Sequence, residues 1–202
     1  MATLSGRAPG ETPLSEDDLA GLKPSWIATR ADLNAAEQHG ILNASKWLFS
    51  PRNLPTVDTL LTAAFADRLH QRMFGGVWRW AGQHRQRITN IGVEPNQISI
   101  KLRNVFDDAL YWHNHDVGMD FIEVAVRLHH RLVAVHPYPN GNGRHARLMA
   151  DALLRRYGQQ DPLPWGGRDL GEVNATRATY IQALQQADRG SYEPLIAFAV
   201  GR

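Results

Sequence analysis

The apolar residues of this 202-residue chain recur mostly three or four positions apart, which is the spacing of one helix face. Residues 58–73 follow this spacing and predict one helix. The stretch from Asp120 to Val135 is apolar on most sides, which is typical of a helix in the middle of a domain. Further helices are predicted over residues 101–115, 143–157, 173–187 and 192–200.

The region before residue 58 predicts two more helices and a tail. Residues 15–22 favour a short helix, and Thr29 to Asp32 form a capping-box pattern that starts a longer one. Residues 1–13 are mostly small or polar, with prolines at 9 and 13, which is typical of a mobile tail. We therefore divide the chain into a mobile N-terminal tail (1–13), a helical extension (14–57) and a main domain (58–202).

Glycines interrupt the helical pattern between residues 75 and 92. Two short, partly alternating runs follow, at residues 87–91 and 97–100, and the residues between them have a turn composition. The sequence thus predicts a mainly α fold with one inserted β-hairpin.

Composition narrows the function classes only slightly. Hydrophobic residues make up 43% and charged residues 21%, as in ordinary globular domains. No apolar run reaches the length of a membrane span, and no secretory signal or cysteine is visible, so we expect a cytoplasmic protein. The net charge of +2 is a weak hint of an anionic ligand. Without a basic stripe, direct nucleic-acid binding is not expected.

A glycine-rich loop between two predicted helices carries the candidate chemistry. The first helix must stop at His136, because a residue before proline disfavours the helical conformation. The loop ends at the N-terminus of the next helix, where free N–H groups and a partial positive charge attract anions. Arg144 and Arg147 lie three positions apart on its first turn, so we predict a polyphosphate site.

His136 lies at the mouth of this predicted site. An imidazole has an unperturbed pKa near ~6.5 and can take a proton at neutral pH. A base, an anion cradle and two arginines are the parts that phosphoryl or nucleotidyl transfer requires. Each feature alone is more often structural: a helix stop, a turn, a solvated face. A dinucleotide-binding reading of Gly141-x-Gly143-x-x-Ala146 fails, because a helix and not a strand is predicted before it.

The segment from His136 to Arg147 resembles the signature of the Fic family, His-Pro-Phe-x-Asp/Glu-Gly-Asn-Gly-Arg-x-x-Arg. Upstream, Trp80-Ala81-Gly82-x-x-Arg85 and Arg87-x-x-x-Ile91-Gly92 are similar to the segment that leads into the family's hairpin flap. The chain most resembles the short bacterial Fic proteins called mobile mystery protein B. The positions identical to the signature are His136, Pro137, Gly141, Asn142, Gly143, Arg144 and Arg147.

The resemblance implies a Fic-type helical bundle and a protein adenylyltransferase, which moves AMP from ATP to a Ser, Thr or Tyr hydroxyl of a target protein. His136 would deprotonate that hydroxyl. The loop amides around Gly141, Asn142 and Gly143 would bind the phosphate chain, with Arg144 on the β-phosphate and Arg147 on the γ-phosphate.

The resemblance also implies metal, docking and inhibitory residues. Asn140 stands where the family has the acidic ligand of Mg²⁺, and an amide oxygen brings no charge to the metal. Glu37 is a candidate inhibitory residue that would pair with Arg147, although its surroundings depart from the family's inhibitory pattern; the alternative is an ordinary exposed helix residue. The flap residues that would align the target chain are Arg87, Ile91, Gly92, Ile98 and Ile100.

Other readings of the same site stay open. The chain could transfer another nucleotide or a phosphate, or it could be a non-catalytic binding module in which Asn140 marks lost metal chemistry. Gly143 stands where the phosphate-transferring Doc branch has a lysine, which favours nucleotide transfer. Tyr138 replaces the family's phenylalanine, a mild change if its hydroxyl finds a partner. A separate regulatory or antitoxin-like protein is the expected restraint on a toxin-like enzyme if Glu37 is not.

Overall fold

A computed structural model describes residues 12–115, 118–158, 161–167 and 175–202 of the chain. A single 3₁₀ turn within these residues, Pro95–Gln97, leads directly into the fifth helix. The helices are α1 (Glu16–Ala20), α2 (Arg30–Leu48), α3 (Val57–Leu60), α4 (Ala63–Phe74), α5 (Ile98–Asn114), α6 (Phe121–Val135), α7 (Asn142–Arg156), α8 (Ala175–Ala187) and α9 (Glu193–Val200).

Helices α6 and α7 form the centre of the molecule and pack extensively against each other. Both helices bury residues in two apolar clusters, one shared with α2 to α5 and one shared with α8 and α9. The apolar character of α6 on most sides explains this central place, as the sequence predicts. None of the helices in the described ranges is long and apolar enough to cross a membrane.

Helix α2 begins where the sequence predicts. The Thr29 side chain accepts a hydrogen bond from the Asp32 N–H, and the Asp32 carboxylate accepts one from the Thr29 N–H, which completes the capping box. One face of α2 is buried and packs on α4. Leu33, Glu37, Ala44 and Leu48 lie on that face, so a carboxylate occupies a core position.

The predicted single helix over residues 58–73 is wrong, because the chain forms α3 and then α4. Thr62 adopts an extended conformation between them, and its hydroxyl accepts a hydrogen bond from the Phe65 N–H. This cap starts a new helix within a continuous apolar pattern. The other predicted helices are present with shifted ends; residue 173, the predicted start of α8, lies outside the described residues.

The predicted β-hairpin is not present. Within the described ranges, β pairing is limited to an isolated antiparallel bridge between Leu22 and Trp78. Ile98 and Ile100 belong to the first turn of α5, and Ile98 is fully buried. The helical spacing of Ile98 with Leu102, Val105, Phe106 and Ala109 decides the structure here, over a local alternation of only four residues.

The predicted mobile tail is also wrong for its last two residues. Thr12 is 5% exposed and lines the cleft formed by the glycine-rich loop, and the carbonyl of the half-buried Pro13 accepts a hydrogen bond from Arg87. Residues 1–11 lie outside the described part of the chain. Hydrogen bonds from side chains distant in sequence hold this short segment, so no local pattern indicates its order.

Candidate active site

His136 ends α6 in the left-handed conformation, with φ 54° and ψ 59°. A non-glycine residue rarely adopts this conformation, and such strain concentrates at functional sites. The imidazole is 6% exposed, and Gly92 lies directly against it. Gly92 has φ +109°, and a Cβ atom there would lie 2.6 Å from the His136 Cβ, so only glycine fits.

Burial lowers the pKa of His136 to about 4, and the positive charge of Arg85 acts in the same direction. The imidazole is therefore neutral at pH 7 and can accept a proton. Its Nε2 lies 2.7 Å from the hydroxyl oxygen of Thr12, which is thus a hydrogen-bond partner of the candidate base. Nδ1 is buried and has no hydrogen-bond partner among the described residues.

The loop after His136 is fixed by side chains on both of its sides. The Asn142 side chain accepts from the Tyr138 N–H (3.0 Å) and donates to the Tyr138 carbonyl (2.8 Å). The Tyr138 hydroxyl donates to the Asp67 carboxylate at 2.9 Å, so this buried tyrosine has a hydrogen-bond partner. His70 accepts from the Gly82 N–H at Nδ1, which leaves Nε2 to donate to the Asn140 carbonyl at 3.1 Å. The loop is therefore preorganised.

Gly141 places the start of α7 against α4. Its φ is +79°, and an added Cβ would lie only 2.7 Å from the Phe74 ring. Both observations require glycine at this position. Gly141 is the N-cap of α7, and the helix has no side-chain cap. The first-turn N–H groups of α7 therefore lack intrahelical partners and lie at the cleft that Gly141, Asn142 and Gly143 line.

The cleft has a volume of about 510 Å³ and a strong excess of cationic side chains. Two carboxylates, Glu37 and Asp188, line it with the arginines. Burial lowers the pKa of Arg30, Arg147 and Arg177, because each cation is partly removed from water. Arginine stays charged in proteins, so an anion with several charges would offset this desolvation. The lining arginines are Arg30, Arg144, Arg147 and Arg177.

Glu37 pairs with the first motif arginine. One carboxylate oxygen lies 2.7 Å from Nη1 of Arg144, and the other accepts from Nε1 of Trp78 at 2.7 Å. Glu37 is 5% exposed, so it is not an ordinary exposed helix residue. The expected pairing with Arg147 is wrong. Arg147 lies about one turn further along α7, where it hydrogen-bonds Tyr180 of α8.

The irregular segment 85–93 takes the place of the predicted hairpin beside His136. Arg85 is 2% exposed and fixes the segment: its Nε donates to the His136 carbonyl (2.7 Å) and its Nη1 to the Arg87 carbonyl (2.7 Å), while Nη2 bonds the Val93 carbonyl. Ile91 and Gly92 line the cleft, as expected of docking residues, and Ile91 is exposed.

The other three predicted docking residues lie elsewhere or have partners within the chain. Ile98 and Ile100 do not line the cleft. The Arg87 guanidinium forms an ion pair with Asp18 of α1 and donates to the Pro13 carbonyl at 2.8 Å. Arg87 therefore holds the N-terminal segment against the cleft.

Asn140 offers little to a metal ion. Its Oδ1 accepts from the Gly141 N–H at 2.7 Å and lies 3.3 Å from Nη2 of Arg144, and its Nδ2 donates to the Thr12 carbonyl at 3.1 Å. The described residues contain no group of three His, Asp or Glu side chains that could hold a metal. An Mg²⁺ here would have one amide oxygen from the protein and would depend on phosphate and water oxygens for the rest.

Sequence reasoning missed several residues of the cleft. Thr12, Arg30, Arg177 and Tyr180 line it, yet none carries a local motif. Arg85 stands within a segment noted for its resemblance, but its contacts with three carbonyl groups depend on the folded loop. For Glu37 a signal did exist, since a carboxylate four residues after the buried Leu33 lies on the apolar face of α2.

The model of the Fic/DOC family matches residues 60–154. The chain is 36% identical over 134 residues to a protein adenylyltransferase Fic of Nematostella vectensis, covering 64% of this chain and 29% of that protein. It is 49% identical over 64 residues to a uridine 5'-monophosphate transferase of Xanthomonas campestris, covering 32% of this chain and 11% of that protein.

A solved structure of Fic-1 (residues 134–508) from C. elegans has the same fold, with a TM-score of 0.64 and 25% identity over 90% of this chain and 51% of that one. The chain spans between a quarter and a third of the length of the adenylyltransferases of Nematostella and Caenorhabditis that it matches. The matched segment contains α4 to α6, the loop that presents His136 and all but the last two residues of α7. Residues 60–154, slightly less than half of the chain, therefore form a domain of the Fic/DOC family.

Proposed function

We propose that this chain is a protein adenylyltransferase that moves AMP from ATP to a Ser, Thr or Tyr hydroxyl of a target protein. One observation carries the proposal: the neutral imidazole of His136 hydrogen-bonds a hydroxyl at the edge of a cationic cleft. A base that already engages a hydroxyl beside an anion site has the arrangement that transfer to a hydroxyl requires. Relatives named adenylyltransferases support the same activity.

His136 is the general base of this reaction. Nε2 takes the proton of the target hydroxyl as its oxygen attacks the α-phosphorus of ATP, and pyrophosphate leaves. The depressed pKa keeps the imidazole neutral, so it is available as a base throughout the physiological pH range. The left-handed backbone and the hydrogen bond from Arg85 to its carbonyl hold the ring in place.

The N-terminus of α7 and the arginines hold the triphosphate. The uncapped N–H groups around Gly143 bind phosphate oxygens, and Arg144 and Arg147 bind the β- and γ-phosphates. These donors stabilise the negative charge that develops as pyrophosphate departs. Mg²⁺ bound with ATP would supply further charge neutralisation, with the Asn140 side chain contributing at most one oxygen and phosphate and water oxygens the rest.

The target docks against the segment 87–92. Ile88 is 69% exposed and Ile91 39% exposed, so both offer apolar contacts at the edge of the site. Arg85 fixes the backbone of this segment, so a target chain meets a preformed surface. This assignment takes the place of Ile98 and Ile100, which α5 removes from the cleft.

Glu37 restrains the enzyme in the state described here. Its carboxylate forms an ion pair with Arg144, which the triphosphate needs as a ligand. Nucleotide binding must therefore first displace Glu37. A separate regulatory or antitoxin-like partner could act by holding α2 in this position. We place this activity in the cytoplasm, where ATP is available.

Transfer of a different nucleotide is the second candidate function. The relative named uridine 5'-monophosphate transferase shares 49% identity over its matched segment, higher than the adenylyltransferases share over theirs. The phosphate-binding residues do not contact a base and so do not choose between ATP and UTP. A phosphate-transferring enzyme and a non-catalytic module have no such observation in their favour.

Mass spectrometry of modified proteins separates these candidates. Purified protein, magnesium and equal amounts of ATP and UTP are incubated with a cell lysate, and the mass added to target peptides is measured. We expect AMP on Ser, Thr or Tyr residues. UMP on those residues would establish the second candidate. The Glu37→Gly variant is assayed in parallel, and unmodified targets with both proteins would contradict any transferase.

A further inference from the structure

Thr12 occupies the position in which a target hydroxyl should lie. Its Oγ1 is 2.7 Å from Nε2 of His136, within the buried mouth of the cleft. The residue lines the same cleft as Gly143, Arg144 and Arg147. A hydroxyl that hydrogen-bonds the base, next to the triphosphate site, meets the geometric requirement for a nucleophile.

Contacts that do not involve the Thr12 hydroxyl hold the segment in place. Asn140 donates to the Thr12 carbonyl at 3.1 Å, and Arg87 donates to the Pro13 carbonyl at 2.8 Å. Arg87 is itself paired with Asp18. The segment is therefore bound through its main chain, as an extended substrate would be, while the side chain reaches the base.

Helix α1 fixes the position of this segment along the chain. Ser15 and Asp18 form a capping box at its start, and the Trp80 indole N–H donates to the Asp18 carbonyl at 3.0 Å. Thr12 lies three positions before this anchored cap. The segment thus has little freedom to slide, and the hydroxyl presented to His136 is that of Thr12.

We propose that Thr12 is an acceptor for the protein's own nucleotidyl transfer, within the same molecule. This inference rests on the proposed adenylyltransferase function. The Thr12 Oγ1 attacks the α-phosphorus of ATP as its proton passes to Nε2 of His136. The bond between that phosphorus and the oxygen bridging to the β-phosphate breaks, and pyrophosphate leaves. The product carries AMP on Thr12 through a phosphodiester bond.

Modification would also change access to the site. While Thr12 is unmodified, its hydroxyl competes with that of any target for His136. A nucleotidyl group on Oγ1 removes this hydrogen bond and cannot fit the enclosed position of a residue that is 5% exposed. The segment must then leave the cleft, and His136 becomes open to other proteins.

The test follows labelled AMP on the purified full chain, with [α-³²P]ATP and magnesium, and locates it by peptide mass spectrometry. The parent, Thr12→Val, Thr12→Ser and Glu37→Gly proteins are compared, with melting curves to confirm folding. Thr12→Val keeps the side-chain shape without the hydroxyl, and Thr12→Ser keeps the hydroxyl. A lysate in a second set of reactions reports transfer to other proteins.

We expect AMP on Thr12 in the parent and more in Glu37→Gly, none at that position in Thr12→Val, and retained label in Thr12→Ser. The fraction labelled per minute should not depend on protein concentration, because the step is intramolecular. Lysate labelling without AMP on Thr12 overturns this inference alone, and so does a rate that rises with protein concentration. No label on any protein, with any variant, overturns the proposed function as well.

Discussion

The cleft has two sides that the chain builds in different ways. The segment from α6 to α7 supplies the base and the phosphate-binding turn from one short stretch of sequence. The N-terminal region, from residue 12 to α2, supplies side chains that contact the base and a phosphate-binding arginine. Thr12 hydrogen-bonds His136, and Glu37 pairs with Arg144. The chemistry is thus local in sequence, whereas its control comes from contacts between distant residues.

This difference has a physical basis. A helix stop, a glycine turn and a helix start are set by backbone preferences that act over a few residues. The contacts of Thr12 and Glu37 span 124 and 107 positions of the chain. They form only after the helices have packed, so they can be broken without destroying the motif itself.

Replacing the base should have the largest effect. His136→Ala should lower transfer by roughly 10²- to 10⁴-fold, the range typical of a lost general base. The fold should persist, because the residue ends α6 and its imidazole lines the cleft. Labelled-nucleotide transfer and a melting curve check both statements. A variant that keeps the parent's rate would contradict the role of His136.

A methyl group at Gly143, in the first turn of α7, should have the next largest effect on transfer. Gly143→Ala adds a Cβ that meets Tyr180 and Arg147 only at 3.7 and 3.9 Å, so the folded chain accommodates it. That methyl occupies the space through which phosphate reaches the free N–H groups, and we expect a loss of transfer of about 10²-fold.

Gly76→Ala is the matched control, since a Cβ there meets nothing within 4 Å. Calorimetric titration with a non-hydrolysable ATP analogue should show weaker binding for Gly143→Ala and parent-like binding for Gly76→Ala. If both variants bind like the parent, the phosphates do not approach this turn.

Breaking the ion pair between Glu37 and Arg144 should raise nucleotide affinity, whereas the two changes above lower transfer. Glu37→Gly frees Arg144, and nucleotide affinity should rise by roughly tenfold, because a charged hydrogen bond contributes on the order of 1.5 kcal/mol. The exposed neighbour Gln38→Gly controls for the loss of helix propensity in α2. Calorimetry and transfer assays should both respond to Glu37→Gly alone. Equal behaviour of the two variants would mean that Glu37 is not a restraint.

Asn140 lies at the boundary of the two sides, and its replacement should have the smallest effect. Asn140→Asp adds a negative charge for Mg²⁺ and removes the hydrogen bond to the Thr12 carbonyl. Transfer should then reach half its maximum at a lower magnesium concentration. A magnesium titration of both proteins checks this, and superimposable curves would place Asn140 away from the metal.

Sequence reasoning was accurate where local patterns govern the structure. It identified α6, α7 and the loop between them, and it identified Glu37 as a residue to test. The predicted hairpin failed because Ile98 joins a longer helical pattern that packs into the core. The small and polar residues around Thr12 predict a mobile tail, whereas its order depends on contacts with Asn140, Arg87 and His136. Backbone patterns predict elements, but side-chain contacts between distant segments need the fold.

Comparison of two labels on ATP tests the central claim most directly. The chain and its Glu37→Gly variant are incubated with a lysate and ATP labelled either at the α- or at the γ-phosphorus. His136→Ala in the same background serves as the control. The account predicts that adding the chain raises protein-bound label above that of the lysate alone from the α position only, and that His136→Ala adds none. Label from the γ position, or label that persists without His136, would contradict it.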